Sequence, residues 1–393
     1  MQEELIVKII AFYLPQFHNI PENDEWWGDG FTEWVNVKAA KPIYKGHMQP
    51  KIPLHNNYYN LLDDKTKIWQ ANLAKKYGVY GFCYYHYWFS GKMLLQKPME
   101  QMLQNKEVDL PFCISWANET WTKAWVNDEK KVLILQKYGD RDEWEKHFKY
   151  LLPFFKDNRY IKMEGKPLFV IYRPEVVECL NEMLDYWNEL AIQNGLPGMA
   201  FAYQTINMDI TDGSDDSRFD YDIEFQPSYA RYDLLSAGSK LAVLKKIRRN
   251  IAKWFEKRFG VDLLRYNGGK ITKKIMNTTL IDYSDIWEKI LERKPLSNKS
   301  VPGAFVAWDN TPRHKERGWV YINNTPEKFE KFLEKQIMNA KNNYHKDMIF
   351  MYAWNEWAEG GYLEPDEVHG YDYLEAIKKA LENTNEFPEY GEL

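Results

Sequence analysis

The sequence predicts an α/β fold, a single (β/α)8 TIM barrel with extended loops at the C-terminal face of its strands. Eight short apolar or aromatic runs recur along the chain, and most gaps between them hold helix-like segments. Polar side chains collect at the C-terminal end of nearly every run. The length of 393 residues exceeds that of a minimal barrel, so it leaves room for long loops on one face.

The eight runs are rich in β-branched and aromatic residues and are mostly bounded by Gly, Pro, Asn or Asp, which favours strands over helices. In chain order they are 7–17, 77–89, 110–120, 166–174, 198–206, 221–229, 303–312 and 347–360. The intervening segments predict helices at 63–78, 142–157, 176–195, 326–343 and 370–383. Gly78 and Gly195 fit helix C-terminal stops.

An insertion at about 231–300 separates the sixth and seventh predicted strands, and its residues 239–260 predict a basic amphipathic helix. Two interpretations stay open. The helix could make a weak contact with an anionic membrane surface or an acidic glycan. It could equally pack its apolar stripe on the barrel, and we favour that interpretation.

The net charge, the aromatic content and the motifs of the sequence bear on which classes of function are open. The formal net charge is −5, so no basic field argues for nucleic acid. Aromatic residues make up 16% of the chain, and exposed Trp and Tyr faces suit sugars, although an aromatic core accounts for many of them. The chain carries no HExxH, CxxC or P-loop motif, so no metal or cofactor is predicted. The first residues lack a basic n-region, which predicts a soluble cytoplasmic protein, with a mature secreted form as the alternative.

Polar and aromatic residues at the predicted strand ends are candidates for substrate binding, because barrel enzymes build their sites at that face. For His86, Glu119 and Arg173 a structural role, as a rim histidine or as an ion pair, is also open. The candidates are His86, Trp88, Trp116, Asn118, Glu119, Arg173, Gln204, Asp309, Asn355 and Trp357.

Glu356 and Glu359 are the candidate catalytic residues. They follow the last predicted strand and stand between tryptophans and glycines. Glycosidic bond hydrolysis usually needs two carboxyl groups, and an apolar wall raises the pKa of the one that must hold a proton. The two side chains share a face only if the chain turns after Trp354, which Gly360 and Gly361 make easy. By spacing alone, an explanation as solvated loop charges or as partners of nearby Arg and Lys is about as good.

Several long motifs resemble the WbsX-like family, which carries the label of lipopolysaccharide-biosynthesis glycosyltransferases. They are FYLPQFH at 12–18, WWGDGFTEWVNV at 26–37, GFCYYHYWF at 81–89, WANETWTKAW at 116–125, WNEWAEGGYLEPD at 354–366 and GYDYLEAIKKAL at 370–381. That family is in turn similar to glycoside hydrolase family 99, the endo-acting α-mannosidases and α-mannanases, through the barrel and a Glu-Trp-x-Glu motif.

The resemblance to family 99 implies a metal-independent barrel that retains anomeric configuration through the substrate's own 2-hydroxyl. Carried onto the matching motif, Glu356 would be the base on that hydroxyl and Glu359 the acid and base at the leaving oxygen. The sequence has Ala358 where the family 99 motif carries a histidine, so the substrate is expected to differ.

Three functions therefore stay open. The leading expectation is a retaining, endo-acting glycoside hydrolase on an α-linked, manno-configured bacterial polysaccharide, with an oligo- or polysaccharide as its partner. The alternative is a glycosyltransferase of O-antigen or capsular polysaccharide biosynthesis, and the third is a non-catalytic glycan-binding barrel.

Overall fold

The computed structural model describes residues 6–122, 131–205, 215–236, 273–275 and 277–390. The described residues hold eight parallel strands that form the central sheet, and each overlaps one of the eight predicted runs. Strands β1 to β8 are Lys8–Tyr13, Val79–Phe89, Phe112–Trp116, Lys166–Ile171, Ala200–Thr205, Tyr221–Glu224, the two pieces Ser300–Val301 and Gly303–Phe305, and Met348–Tyr352. The predicted barrel is confirmed.

The barrel closes through β7. Neighbouring strands pair in parallel from β6 back to β1 and then to β8. The first piece of β7 pairs with β6, whereas the second pairs with β8. Pro302 lies between the two pieces, and it has no backbone N–H to donate to a ladder. A Cβ on Gly303 would lie 1.9 Å from the carbonyl oxygen of Glu224, so only glycine permits this approach of β6 and β7.

Helices follow most strands, and those predicted from periodicity are present. Four described helices begin at side-chain caps, in which a carboxylate or hydroxyl oxygen accepts a backbone N–H of the first turn. The caps are Asp63, Asp140, Asp282 and Thr325. The described helices α1 to α11 are Pro21–Trp27, Glu33–Ala39, Asp64–Lys76, Lys97–Gln104, Arg141–Lys156, Leu180–Gln193, Ser228–Ser236, Tyr283–Glu292, Thr311–His314, Pro326–Asn339 and Asp372–Asn383.

Aromatic rings fill the barrel below its C-terminal face. Phe12 of β1 stacks on Tyr85 of β2, with ring centroids 5.5 Å apart. Its other neighbours are Phe225, which follows β6, and Phe350 of β8, each 5.6 Å away. These rings come from opposite sides of the barrel, so the interior is a packed core that forms a solid floor for the loops above it.

The predicted insertion lies between β6 and β7, where α7, α8 and the strands Lys273–Ile275 and Thr278–Asp282 are described. The predicted basic helix 239–260 lies outside the described residues. Within the described ranges, no helix combines the length and apolarity needed to cross a membrane.

Candidate active site after the last barrel strand

A tight turn after β8 carries the two candidate catalytic glutamates. Asn355–Glu356 pairs in antiparallel fashion with Gly361–Tyr362, and Trp357–Glu359 forms a 3-10 turn between them. Gly360 ends the turn at φ 66°, where a Cβ would lie 2.9 Å from the backbone nitrogen of Asp309. The turn that the sequence required for a shared face is therefore present.

Both glutamates contact the guanidinium of Arg313, which follows β7 on α9. Its Nη2 lies 3.1 Å from Oε1 of Glu356, and its Nη1 lies 2.8 Å from Oε1 of Glu359. Glu33, at the start of α2, lies 3.2 Å from the same Nη2. Arg313 and Glu356 are buried, whereas the side chain of Glu359 is 19% exposed. The loops after β1 and β8 thus bring three carboxylates to one cation, which the loop after β7 supplies.

Two tyrosines border this charged group. The Tyr352 hydroxyl, at the end of β8, donates to Oε2 of Glu359 at 2.6 Å. The Tyr87 hydroxyl, near the end of β2, accepts from Nε2 of Gln16 at 2.9 Å, and the charges of Glu356 and Arg313 act on it. Each oxygen of Glu359 therefore has a named donor, Arg313 on one and Tyr352 on the other.

Burial dominates the electrostatics of Glu356 and raises its pKa above the ordinary value for a glutamate. The charge of Arg313 acts in the opposite direction, and the neighbouring Glu359 raises the pKa further. Burial likewise raises the pKa of Tyr352 well above its usual value, so this hydroxyl stays a donor. Around Arg313 there are three carboxyl groups and one guanidinium, so the protonation state in which one carboxyl group keeps its proton is favoured.

Asp309 braces the turn and lies near the pair. Its Oδ2 accepts from Gln49 at 2.6 Å and lies 2.8 Å from Nε2 of His47, and its Oδ1 accepts the Thr311 hydroxyl at 2.6 Å. Its backbone N–H donates to the carbonyl oxygen of Glu359 at 2.7 Å. Burial raises the pKa of Asp309, but the contact with His47, the charge of Lys51 and the Thr311 hydroxyl together hold this pKa below its usual range.

Asn355 and Trp357 hold the same turn in place. The Asn355 amide bonds both backbone groups of Leu14, at 2.8 and 3.0 Å. The Trp357 ring stacks on Tyr362, with centroids 3.7 Å apart, and donates its Nε1–H to Glu364 at 2.7 Å. Their contacts are those of residues that position the glutamates.

A second polar group lies at the ends of β3 and β4. The Asn118 amide bonds the backbone N–H and carbonyl of Arg173, each at 2.8 Å. Arg173 pairs with Glu119 at 2.6 Å and with Glu175. Gln204, in β5, donates to the Ser115 hydroxyl at 3.2 Å. These predicted residues lie near the same face of the barrel, but the partners named here belong to this second group and not to the group around Arg313.

His86, Trp88 and Trp116 lie on the other side of their strands, against helix α5. The Nε2 atoms of His86 and His147 are 2.9 Å apart, and Trp88 stacks on His147 with centroids 4.5 Å apart. Trp116 meets His147 edge-on at 5.1 Å. All are buried, and burial lowers the pKa of His86 to about 3. The structure places these three predicted residues in a helix–strand interface away from the glutamate pair.

Sequence reasoning did not single out Arg313, Glu33, Tyr87 or Tyr352. Glu33 stands inside one of the long motifs at 26–37, which is a signal that could have found it. Arg313 lies among other basic residues in TPRHKER, where no local pattern marks the one that turns inward. In the described part of the chain, no group of three His, Cys, Asp or Glu side chains is arranged to hold a metal ion.

The sequence is similar to one protein family and to two relatives in Xanthomonas campestris. The family described as glycosyltransferase WbsX matches residues 9–377. The uncharacterised protein WxcX of Xanthomonas campestris pv. campestris is 33% identical over 385 residues in one strain and 32% in another. These matches cover 97% of this chain and 50% of each relative, so the chain spans about half the length of the relatives it matches.

Solved structures share the fold. The GH99 endo-α-mannosidase of Bacteroides thetaiotaomicron has a TM-score of 0.52 at 13% identity, covering 96% of this chain and 97% of that one. A glycoside hydrolase-like protein has a TM-score of 0.54 at 11% identity, covering 97% and 95%. At such identities the likeness concerns the fold alone. Since the family match spans nearly the whole sequence, the chain belongs to the WbsX glycosyltransferase family.

Proposed function

We propose that the chain is a retaining, endo-acting glycoside hydrolase that cleaves α-linked, manno-configured bacterial polysaccharide. The observation that carries the proposal is the buried Glu356 and the adjacent Glu359 on one guanidinium, at the face where barrel enzymes react. The fold shared with the GH99 endo-α-mannosidase named above and the glycosyltransferase description of the family support a carbohydrate as the substrate.

Glu356 would act as the base in the first step. Its carboxylate removes the proton of the sugar 2-hydroxyl, and O2 attacks the anomeric carbon as the bond to the leaving oxygen breaks. Burial makes Glu356 a stronger base than a solvated glutamate, because it raises the pKa of the conjugate acid. The product is a 1,2-anhydro sugar with no bond to the protein.

Glu359 would act at the leaving oxygen. It gives that oxygen a proton in the first step and in the second step removes a proton from water, which opens the anhydro ring at the anomeric carbon. Glu356 then returns its proton to O2, so protons balance over the two inversions and configuration is retained. The Tyr352 hydroxyl and Arg313 hold the two oxygens of Glu359 in place.

The shared guanidinium supplies a reason for the proton that catalysis needs. Three carboxylates on one cation would leave excess negative charge in a buried site, which costs free energy. A proton held between Glu356 and Glu359 removes part of this charge. Substrate binding can then direct the proton to the leaving oxygen while Glu356 takes the 2-hydroxyl proton.

The family description favours a glycosyltransferase as the second candidate. Its pathway would be O-antigen or capsular polysaccharide biosynthesis. Such an enzyme needs groups that neutralise a sugar-nucleotide diphosphate. Arg313 and Arg173 lie at this face, but both are already paired with carboxylates. This pairing disfavours diphosphate binding at these two arginines, and hydrolysis is our preferred assignment.

The deciding experiment incubates the protein with a panel of α-mannan, rhamnan and O-antigen oligosaccharides and follows product masses and the first anomer formed by NMR. We expect internal cleavage with retained configuration. A parallel assay supplies nucleotide sugars and a divalent ion to the same acceptors. Transfer in that assay, with no cleavage in the first, would overturn the hydrolase and assign the transferase.

A further inference from the structure

A cleft of about 390 Å³ lies beside the turn that carries the glutamates. Segment 53–59, helix α3 and the loop after β8 form its walls. Its described lining includes Trp357 and Glu364 but not Arg313, Glu356 or Glu359. The cleft is therefore a separate concavity that shares only the Trp357 wall with the proposed catalytic turn.

The walls combine aromatic rings with exposed polar side chains. Tyr59, Trp69 and Tyr371 supply rings, and Tyr371 is 39% exposed. Asn56 and Asn57 supply exposed amides. Flat rings that cover C–H faces, with amides that bond hydroxyls, make a surface suited to sugars. A volume of this size also lies in the ordinary range for small-molecule sites, roughly 300–1,000 Å³.

The polar wall is held in an unusual backbone conformation. His55 and Asn56, both in the cleft lining, have φ values of 58° and 54°, a region that residues other than glycine seldom adopt. The backbone N–H of His55 donates to Glu367 at 2.5 Å, and that of Asn56 donates to the Pro53 carbonyl at 2.9 Å. Two successive residues in this region cost free energy, which is typical of segments that present side chains for function.

The floor of the cleft is rigid and carries no permanent positive charge in its described lining. Glu364 accepts from Tyr59, Gln70, Trp354 and Trp357, at 2.6 to 3.1 Å. The described lining residues include neither Lys nor Arg. An anionic ligand would therefore find no Lys or Arg in this lining, whereas a neutral one would meet a preorganised surface.

We infer that this cleft is a second carbohydrate-binding site, which holds a neutral segment of a polysaccharide chain next to the proposed catalytic turn. The identity of the polymer rests on the proposed function, whereas the binding itself does not. A long chain that occupies both sites would be retained more strongly than a short one, since the second contact becomes intramolecular.

The test is a glycan array of neutral and acidic oligosaccharides, read with the Glu356→Gln variant so that cleavage does not consume the probes. Tyr371→Ala and Asn56→Gly are then added separately. Glycine accepts the positive φ of Asn56, so that variant removes the amide without backbone strain. We expect each to weaken binding of neutral glycans about tenfold. Tyr186→Ala, on α6, is the matched control and should bind like the parent.

The proposal is overturned if the parent binds no neutral glycan or if both cleft variants bind as the parent does. Because the array reads binding without turnover, cleft-dependent binding in a chain that hydrolyses nothing would refute only the proposed catalysis. In an active chain, the cleft variants should cleave short oligosaccharides at the unchanged rate and the polymer more slowly.

Discussion

Two buried glutamates in the loop after β8, Glu356 and Glu364, differ in the groups that hydrogen-bond to them. Glu356 shares the guanidinium of Arg313 with two other carboxylates. Glu364 faces four neutral donors and neither oxygen lacks a partner. Burial raises the pKa of both, that of Glu364 to about 7.

This difference in partners suits Glu356 to proton transfer and Glu364 to a structural role. A carboxylate whose donors are all fixed can change protonation only by disturbing its neighbours, which suits a structural position. A carboxyl that competes with others for one cation can gain or lose a proton at small structural cost. The comparison assigns reactivity to the Arg313 group and positioning of Trp354 and Trp357 to Glu364.

The largest effect should come from Glu356→Gln and Glu359→Gln. Each should lower kcat on a natural polysaccharide by about 10²–10⁴-fold, because each removes one proton transfer, while the thermal midpoint changes little. Glu359→Gln should release a first equivalent of dinitrophenol from a substrate with that leaving group, since that bond breaks without a proton, but its second step should stay slow because Glu359 also activates the water. Glu356→Gln should release none. Steady-state rates on the polysaccharide and the dinitrophenol released in the first turnover check this. Full activity of the double variant would refute both roles.

Arg313→Met should remove about 3–5 kcal/mol of unfolding free energy, because it leaves buried carboxylates without their cation. The loss should shrink at acidic pH, where Glu356, whose pKa burial raises, holds a proton and depends less on the cation. Urea unfolding at pH 5 and pH 8 measures it. Arg218→Met, which breaks an exposed pair with Asp185, is the control and should cost less than about 1 kcal/mol. Equal losses in the two variants would contradict a buried shared cation.

Glu364→Gln should change the pH dependence of stability. The folded pKa of Glu364 is about 7 and its ordinary value is 4.5, so its contribution is fully present below pH 4.5 and is lost as pH rises through 7. The difference in unfolding free energy between wild type and variant should therefore shift by about 3 kcal/mol across this window, in favour of the variant at high pH.

Urea titrations of both proteins at several pH values between 4.5 and 8 measure this shift. Subtracting the two curves cancels groups common to both, including the buried histidines. The exposed Glu382→Gln, which loses only a helical pair with Lys378, should show no such shift. Parallel curves for wild type and Glu364→Gln would mean that Glu364 keeps an ordinary pKa.

The smallest effect should be that of Glu364→Gln on catalysis. Glu364 contacts the turn through the Nε1–H groups of Trp354 and Trp357 and stands outside the Arg313 group, so kcat should fall by less than about tenfold. Steady-state kinetics at pH 6 checks this. A loss as large as that of Glu359→Gln would place Glu364 in the reaction.

The fold could be predicted because each barrel strand is buried on both faces. Such a strand appears in sequence as a short continuous apolar run, and the gaps carry helical periodicity and caps such as Asp140 and Thr325. The break in β7 could not be predicted, since its first piece, Ser300–Val301, is too short to produce a pattern.

The site was harder to predict because β2 is aromatic on both faces. Tyr85 and Tyr87 point into the barrel, whereas His86 and Trp88 point to α5. The alternation of side chains along a strand assigns these residues to two faces of β2. It does not tell which face points into the barrel, because both faces carry aromatic and polar side chains. Arg313 was missed for a different reason, because a short helix in a loop sets its direction and no periodicity precedes it.

The divided β7 gives the barrel a seam. Pro302 interrupts the ladder between β6 and β8, so neither of these strands shares a long unbroken partner across β7. Amide hydrogen exchange should therefore be faster in Tyr221–Glu224 and Ser300–Val301 than in β1 or β2, which pair over most of their length. Arg313 follows the second piece of β7, which pairs with β8, and Glu356 follows β8 itself. The charged group can therefore stay assembled while the ladder between β6 and the first piece of β7 opens.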